Sequence, residues 1–356
     1  MTFATITTPP QRLLAEAKWA FATRRVSRID GAALRDDFAA AAPGDLILAR
    51  VSEIGQHKGI QLVSGRRAAL FPGDLVVMPV AARYATDQFE GTAEIDARGA
   101  DMLAGGGCLG RMRARHERMR PATRVIPLGR IMTAAGAPMN LADYALPDAP
   151  APAGLPVIAV LGTSMNSGKT LATARLGLGL RRAGRKVALV KGTGTAAFGD
   201  FNEYADTGAA YVGDFTDGGL ATTYLAPVGR IRAATDRVLA EAGRRGCDVA
   251  VMEIADGLLQ RETAALLADP EFSAGLAGIV FACGDPLAAT GGAAELARNG
   301  LRPLALTGMV SCSPMASAEA EDATGLRVMT KEALADPAQA MRLLREATGA
   351  MRGAVA

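Results

Sequence analysis

Apolar positions along the chain change their spacing near residue 150. In residues 11–25, Leu13, Leu14, Ala17 and Phe21 recur at helical intervals behind Pro9 and Pro10, which predicts a helix. A second short helix is predicted over 32–42. Two turns, Pro43-Gly44-Asp45 and Pro72-Gly73-Asp74, then each lead into an apolar run, 46–54 and 75–80, of strand character. Their starts lie 29 residues apart, too few copies for a repeat array. These runs predict a small antiparallel β module, a partly closed barrel, over 43–135. From residue 157 the pattern differs. Strand-like stretches, continuously apolar at 157–161 and followed by 184–191, 247–253, 279–283 and 304–310, alternate with helical stretches at 171–183, 229–244 and up to Arg298. Continuous runs suit parallel strands buried on both faces. The expected fold class is therefore α/β: a mostly parallel, doubly wound sheet preceded by an N-terminal α+β module.

A proline-rich stretch separates the two textures. Pro147, Pro150, Pro152 and Pro156 forbid a helix interior across 146–156 and favour an extended connector. The expected organisation is an N-terminal module at 1–145, a linker at 146–156 and a second domain at 157–356. Residues 1–150 carry 19 basic and 15 acidic side chains, +4, and the remainder 20 and 21, −1. The mild basicity thus belongs to the first part, as an ordinary solvated surface or an aid to an anionic ligand.

Composition narrows the function classes. With 49% hydrophobic and 21% charged residues, the chain has material for a packed core. Ten Phe, five Tyr and one Trp are too few for a broad nucleic-acid stacking platform, and +3 is too small to call for a polyanionic partner. No uninterrupted apolar run approaches a bilayer span, and residues 1–10 lack the basic flank and apolar run of a signal peptide. No nucleic acid, no membrane and a cytoplasmic location are expected. Cys108, Cys247, Cys283 and Cys312 lack CxxC spacing and fit reduced thiols. His57 and His116 are the only imidazoles, and neither sits in a metal or triad motif. In the first part, two places cluster chemistry: Arg83 to Phe89, and the glycine-rich stretch 105–110, which runs into Arg111, Arg113, Arg115, His116 and Arg118. The second is either an anion site or a flexible turn before a solvated basic helix.

The most specific signal comes directly after the run 157–161. Gly162, Thr163, Ser164, Met165, Asn166, Ser167, Gly168, Lys169 and Thr170 form a glycine-containing loop, and Leu171 opens the next helix. Strand, loop, Gly-Lys-Thr and helix occur in the order of a phosphate loop (P-loop). Backbone N–H groups and the helix N-terminus would hold a β-phosphate, and Gly168 would allow close backbone approach. Lys169 would reach the β- and γ-phosphates, and the Thr170 hydroxyl would bind Mg2+. Five residues separate Gly162 from Gly168 rather than the usual four, and Thr163 stands where glycine is usual.

Further candidates lie at the ends of the later strands, where ligands of open α/β sheets sit. Lys191 ends the second strand. Asp200, Asp206, Asp214 and Asp217 come after a flexible loop, with Asp200 favoured because it lies directly past the glycines at 192–199. An apolar strand ending in Glu253 has the Walker B arrangement, whose carboxylate holds Mg2+ or orients an attacking group, and Asp256 lies three residues on. The guanine-specific Asn-Lys-x-Asp is replaced by Ala282-Cys-Gly-Asp285, so ATP is the default nucleotide, with GTP open through Asp285. Gly177 and Gly179 inside the first helix reflect close packing or compositional bias.

The form Gly-Thr-x4-Gly-Lys-Thr, with Glu253-Ile-Ala-Asp256-Gly-Leu downstream, resembles dethiobiotin synthetase and its relatives. They belong to the P-loop class that also contains signal-recognition GTPases and MinD-like ATPases. The second lysine of the MinD-like branch is absent, and Asp256 replaces a family glycine. The resemblance covers about 190 residues and implies an ATP- and Mg2+-dependent ligase or kinase-like enzyme that activates a small-molecule carboxylate or amine. On it, Lys169, Thr170, Glu253 and Mg2+ stabilise the transferring phosphoryl group, and Lys191 with 192–200 meets the acceptor; Asp200, favoured by its place past the loop, is the candidate for catalysis or the metal. A homodimer across the nucleotide domain is also implied. The run from Lys191 through Asp200 to Ala209 is similar to the molybdopterin-guanine dinucleotide adaptor GTPases, implying a nucleotide-binding accessory protein. Residues 190–195 with Asp214 and Phe215 resemble the family that includes D-glutamate N-acetyltransferase, implying a CoA-type ligand.

Overall fold

A computed structural model describes residues 10–354, with side chains up to 349. The stretch 1–9, on which most of the no-leader expectation rests, lies outside them. The chain divides into two compact units. The first holds residues up to Ala145 with Thr195–Phe198 and Gly219–Tyr224. The second holds Leu146–Gly194, Gly199–Gly218 and the chain from Leu225 onward.

The first unit opens with helix α1 (Pro10–Glu16) and continues, between turns and short 3-10 segments, in eleven strands among the described residues: β1 (Lys18–Trp19), β2 (Ala33–Arg35), β3 (Leu46–Glu53), β4 (Gly59–Gln61), β5 (Arg67–Ala69), β6 (Leu75–Pro79), β7 (Arg83–Tyr84), β8 (Phe89–Thr92), β9 (Ala100–Ala104), β10 (Cys108–Arg115) and β11 (Thr123–Met132). Nine of them form one sheet in the order β1-β6-β3-β11-β9-β10-β8-β7, with β2 on β11. Every pairing in it is antiparallel except β1 with β6. A bridge between Val80, just past β6, and Leu109 of β10 brings the two flanks together and partly closes the sheet. Along β3, Leu46 and Leu48 enter one apolar cluster while Ile47, Ala49 and Val51 enter another. Side chains alternate across a strand, so burial of both faces requires the apolar run of residues 46–49, which ends at the exposed Arg50.

Three helical expectations fail in this unit. The helix predicted over 11–25 stops at Glu16. Lys18 and Trp19 instead pair with Val76 and Val77, the Trp19 indole donates to the Leu14 carbonyl at 2.9 Å, and Phe21–Thr23 is one 3-10 turn. Burying Trp19 this way overrides local helical spacing. In 32–42, Ala33–Arg35 pairs with β11 and Phe38–Ala40 is a 3-10 turn. The basic run after the glycine-rich stretch is strand β10, and a bulge between Met112 and Ala114 sends Arg111 and Arg115 to opposite faces of the sheet.

The second unit alternates strand and helix: β12 (Val157–Gly162), α2 (Lys169–Arg182), β13 (Val187–Lys191), α3 (Phe198–Asp206), β14 (Tyr211–Asp214), α4 (Val228–Arg244), β15 (Val249–Glu253), α5 (Arg261–Ala268), α6 (Pro270–Ala274), β16 (Leu276–Ala282), α7 (Pro286–Arg298), β17 (Ala305–Thr307), α8 (Pro314–Thr324), α9 (Lys331–Ala335) and α10 (Pro337–Ala354). Its six strands are all parallel, in the order β14-β13-β15-β12-β16-β17. Val157, Ala159 and Leu161 of β12 pack on one face with α4, α5, α7 and α8. Ile158 and Val160 pack on the other with α2, α9 and α10. This is a doubly wound α/β sheet, and each fully buried Val, Leu or Ile contributes about 1.5–3 kcal/mol. The run 304–310 is strand only at Ala305–Thr307, before a 3-10 turn at Met309–Cys312. The α2 glycines serve close packing: a Cβ on Gly177 would come within 2.5 Å of Leu189, and one on Gly179 would strike the Leu334 carbonyl. Leu146 and Leu155, inside the proline-rich stretch, are buried in this core. Among the described residues no helix is long and apolar enough to cross a membrane.

Candidate functional site

The chain order β12-loop-α2 places residues 163–168 at the carboxyl end of the central strands. Gly168 caps α2 with φ of 101°, and Asn166 has φ of 64°, so the loop uses left-handed backbone twice. The Lys169 side chain folds back across β12, and its ammonium donates to the Ser164 carbonyl at 2.7 Å. Gly162 makes this fold possible, because a Cβ there would strike Ser167 Oγ and come within 2.8 Å of Lys169 Cγ. Ser167 Oγ is buried without a hydrogen-bond partner among the described residues. Behind the loop, Gly308, with φ of 91°, leaves room for the Ser167 carbonyl, which accepts the Met309 N–H at 3.3 Å.

Neighbouring strand ends bring further charges to the loop. Lys191, at the end of β13, forms an ion pair with Asp200 and lies 3.9 Å from Glu253 at the end of β15. The Thr170 hydroxyl and Asp200 Oδ1 are 3.5 Å apart. Glu253 is only 2% exposed, and its other oxygen accepts the buried Tyr204 hydroxyl. Burial and the facing Glu253 carboxylate push the Tyr204 phenol well above its usual range. Asp200 and Tyr204 stand one turn apart on α3, so one helix face delivers both. Burial lowers the Lys169 pKa, Glu253 and Asp256 oppose that shift, and Lys191 adds to it. Asp256 is pushed up to about 6, chiefly by burial, with Lys169 and Lys191 pulling it down and Glu253 and Glu262 adding to the rise.

The structure thus gathers Lys169, Thr170, Lys191, Asp200, Glu253 and Asp256 around one loop. The other acids do not join them. Asp214 accepts the Thr216 N–H and hydroxyl at 2.7 and 2.6 Å, and Asp217 accepts the Asp214 N–H at 3.0 Å, so both shape the turn after β14. Asp206 is exposed at the end of α3. Asp285 caps α7 through the Ala288 N–H at 2.8 Å. Thr193 and Tyr204 lie in the stretches 192–200 and 204–209 that the sequence marks for a substrate or metal, without a role of their own there; the Thr193 hydroxyl accepts the Ala255 N–H at 2.8 Å. The four-residue interval from Asp200 to Tyr204 was the available signal for Tyr204.

The first unit's candidates are structurally engaged. Arg83 donates to the Leu103 carbonyl and to Gln88, and burial beside it lowers the His57 imidazole to about 4. Arg111 pairs with Asp96, Arg113 with Glu94, and His116 Nδ1 accepts the Arg118 N–H at 3.2 Å. All four cysteines are free, and only Cys312 is exposed. Among the described residues no group of three His, Cys, Asp or Glu side chains could hold a metal ion.

No family model matches the chain, and no curated protein matches it. Among solved structures, the signal recognition particle 54 kDa protein from Aeropyrum pernix K1, in complex with GDP, is similar at 18% identity and a TM-score of 0.38, over 57% of this chain and 48% of that one. The chain therefore spans about half the length of that protein. HypB from Helicobacter pylori, in complex with nickel, is similar at 15% identity and a TM-score of 0.37, over 55% of this chain and 88% of that one. The hydrogenase maturation factor HypB from Archaeoglobus fulgidus gives 14% and 0.33, over 50% and 81%.

Proposed function

We propose that the second unit is a Mg2+- and nucleoside-triphosphate-dependent phosphotransferase acting on a small molecule, with ATP as the default donor. The observation that carries this reading is the pair of lysines at one loop: Lys169 folded onto the Ser164 carbonyl, and Lys191 held by Asp200 beside Thr170. A triphosphate fits these residues. Ser167 Oγ is buried without a partner among the described residues, Lys169 rests on a single main-chain carbonyl, and the first amides of α2 open toward the loop. Mg2+ fits as well, with Thr170 and Asp200 as the chain's own oxygens and phosphate and water supplying the rest, as this ion prefers. When bound, the ion neutralises charge on the phosphate oxygens.

The chain's own residues divide the remaining work. Lys169 reaches toward the phosphates. Lys191, oriented by Asp200 and Glu253, places a second positive charge where the transferring group gains negative charge. Tyr204 fixes Glu253 so that this carboxylate stays directed at Lys191. Asp285 is exposed and caps α7 through Oδ1 alone, so the choice between ATP and GTP falls to the binding test below. The test is calorimetric binding of ATP, GTP and acetyl-CoA with Mg2+, in the parent and in Lys169→Ala. ATP binding that is lost in the variant supports the reading. Selective GTP binding favours a GTPase role, and CoA binding without either triphosphate overturns it.

A further inference from the structure

Three carboxylates surround the phosphate loop, and two are already engaged. Asp200 is held by Lys191 and Thr170, and Glu253 by the Tyr204 hydroxyl. Asp256 is half-buried and accepts no hydrogen bond among the described residues. Its backbone lies at φ of 64°, where a side chain is strained and glycine is not. The conformation is held from both sides. The Ala255 N–H donates to Thr193 Oγ1 at 2.8 Å, and Thr263 Oγ1 donates to the Ala255 carbonyl at 3.2 Å. Gly257 abuts the Thr163 carbonyl so closely that a Cβ there would collide with it. A Cβ on Gly194 would lie 3.1 Å from both Ala255 Cβ and Lys191 Cε. Asp256 is thereby fixed between the phosphate loop and the end of β13. Strain persists only where the surroundings over-determine it, and here it positions the one of the three loop carboxylates that accepts no hydrogen bond among the described residues.

We infer that Asp256 is the proton acceptor of the reaction, and that the acceptor substrate carries a proton on its attacking atom, as an amine or alcohol does. The inference rests on the phosphotransferase reading above and narrows its acceptor. In the step, the N–H or O–H proton of the acceptor passes to the Asp256 carboxylate. The acceptor nitrogen or oxygen bonds to the γ-phosphorus. The bond from that phosphorus to the bridging oxygen breaks, and its electron pair leaves with the nucleoside diphosphate. Asp256 then returns the proton to solvent, to which its half-buried side chain has access.

The groups facing Asp256 suit this role. Burial raises its proton affinity, Glu253 and Glu262 add to the rise, and Lys169 and Lys191 limit it, leaving a midpoint of about 6. Such a group is ionised at neutral pH yet more basic than a free aspartate. A carboxylate acceptor would need no base and would meet Asp200, Glu253 and Asp256 together.

The full chain is compared with Asp256→Asn and Asp256→Gly for calorimetric binding of Mg-ATP and Mg-GTP, for thermal unfolding, and for phosphate release between pH 5 and 8 with water as acceptor. Binding within about threefold of the parent is expected, with phosphate release lowered about 100-fold and without the parent's rise through pH 6. Asp256→Gly relieves the left-handed strain, so its unfolding midpoint should match or exceed the parent's. Carboxyl 13C titration of the nucleotide-free chain should show an aspartate near pH 6 that disappears in Asp256→Asn. Parent-like release and pH profile in both variants overturn the inference. So does a parent that binds nucleotide and releases no phosphate at any pH, because a base set beside water has an acceptor. A parent that binds neither triphosphate sinks the nucleotide reading itself, and this inference falls with it.

Discussion

The two glycine-rich stretches of this chain look alike in sequence and do different things. Gly105, Gly106 and Gly107 precede three arginines, and Gly162 and Gly168 precede Lys169. In the first, a Cβ on Gly106 would strike the Ala196 main chain, so the glycine serves packing, and Arg111 and Arg113 are paired with Asp96 and Glu94. In the second, the glycines let a lysine lie over a strand beside a buried hydroxyl that has no partner among the described residues. The element that succeeds the glycines decides the outcome. A strand sends successive side chains to opposite faces, whereas a helix N-terminus turns its free amides toward the loop.

The largest expected effect breaks that contrast if it fails. Lys169→Ala should weaken Mg-triphosphate binding on the order of 1,000-fold, since it removes a charged partner from a desolvated site. Arg111→Ala and Arg113→Ala should change affinity by less than about twofold, as surface ion pairs contribute little. Calorimetry reads both, and equal affinity in Lys169→Ala and the parent would remove the phosphate-loop assignment. Next, Glu253→Gln should keep nucleotide affinity while phosphoryl transfer falls roughly 100-fold, because Lys191 loses an orienting charge. Normal turnover in Glu253→Gln would end its catalytic role. Tyr204→Phe leaves the buried Glu253 carboxylate without its donor, at a cost of about 1–3 kcal/mol in denaturant unfolding.

The second unit was far more legible than the first, for a physical reason. Strands such as 157–161 and 187–190 are buried on both faces, so their apolar runs are continuous and need no partner to be recognised. The turn of chain from Gly162 to Thr170 carries its own chemistry in consecutive residues. The first unit depends on pairings that are distant in sequence. Lys18 and Trp19 join a strand more than fifty residues away, and nothing local announces it. The arginines at 111, 113 and 115 did show a two-residue interval, but the preceding glycines obscured it. The candidate site was legible where a local motif marked it, at the loop residues Lys169 and Thr170 and at the strand end Glu253. The grouping of Asp200 and Tyr204 on one turn of α3, and the isolation of Asp256 from hydrogen bonds, exist only in three dimensions.

Glycine substitutions sharpen the same contrast at lower cost. Gly106→Ala and Gly257→Ala each force a methyl group against a main-chain carbonyl, of Ala196 and Thr163 respectively. Each should destabilise by about 1–3 kcal/mol. Only Gly257→Ala, whose neighbour belongs to the phosphate loop, should also weaken triphosphate binding. A nucleotide effect from Gly106→Ala equal to that of Gly257→Ala would erase the distinction between the two stretches.

The smallest expected net effect comes from pH, because the two units pull in opposite directions. In the first unit His57 is lowered to about 4 from 6.5, chiefly by burial, so the unfolded chain binds more protons between these values and stability rises with pH across them. In the second, Asp256 is raised to about 6 from 3.8, so the folded chain holds the proton more tightly and stability falls as pH rises through that window. Each contribution is on the order of 3 kcal/mol, so the parent's profile between pH 4 and 6.5 should be flatter than either alone. Removing one group exposes the other. Asp256→Asn should gain stability relative to the parent as pH rises, and His57→Gln should lose the acid-side penalty. Urea unfolding at pH 4.5, 5.5 and 6.5 reads both slopes. If the two variants shifted the profile in the same direction, the two units would not hold these groups in the opposite protonation states that their surroundings impose.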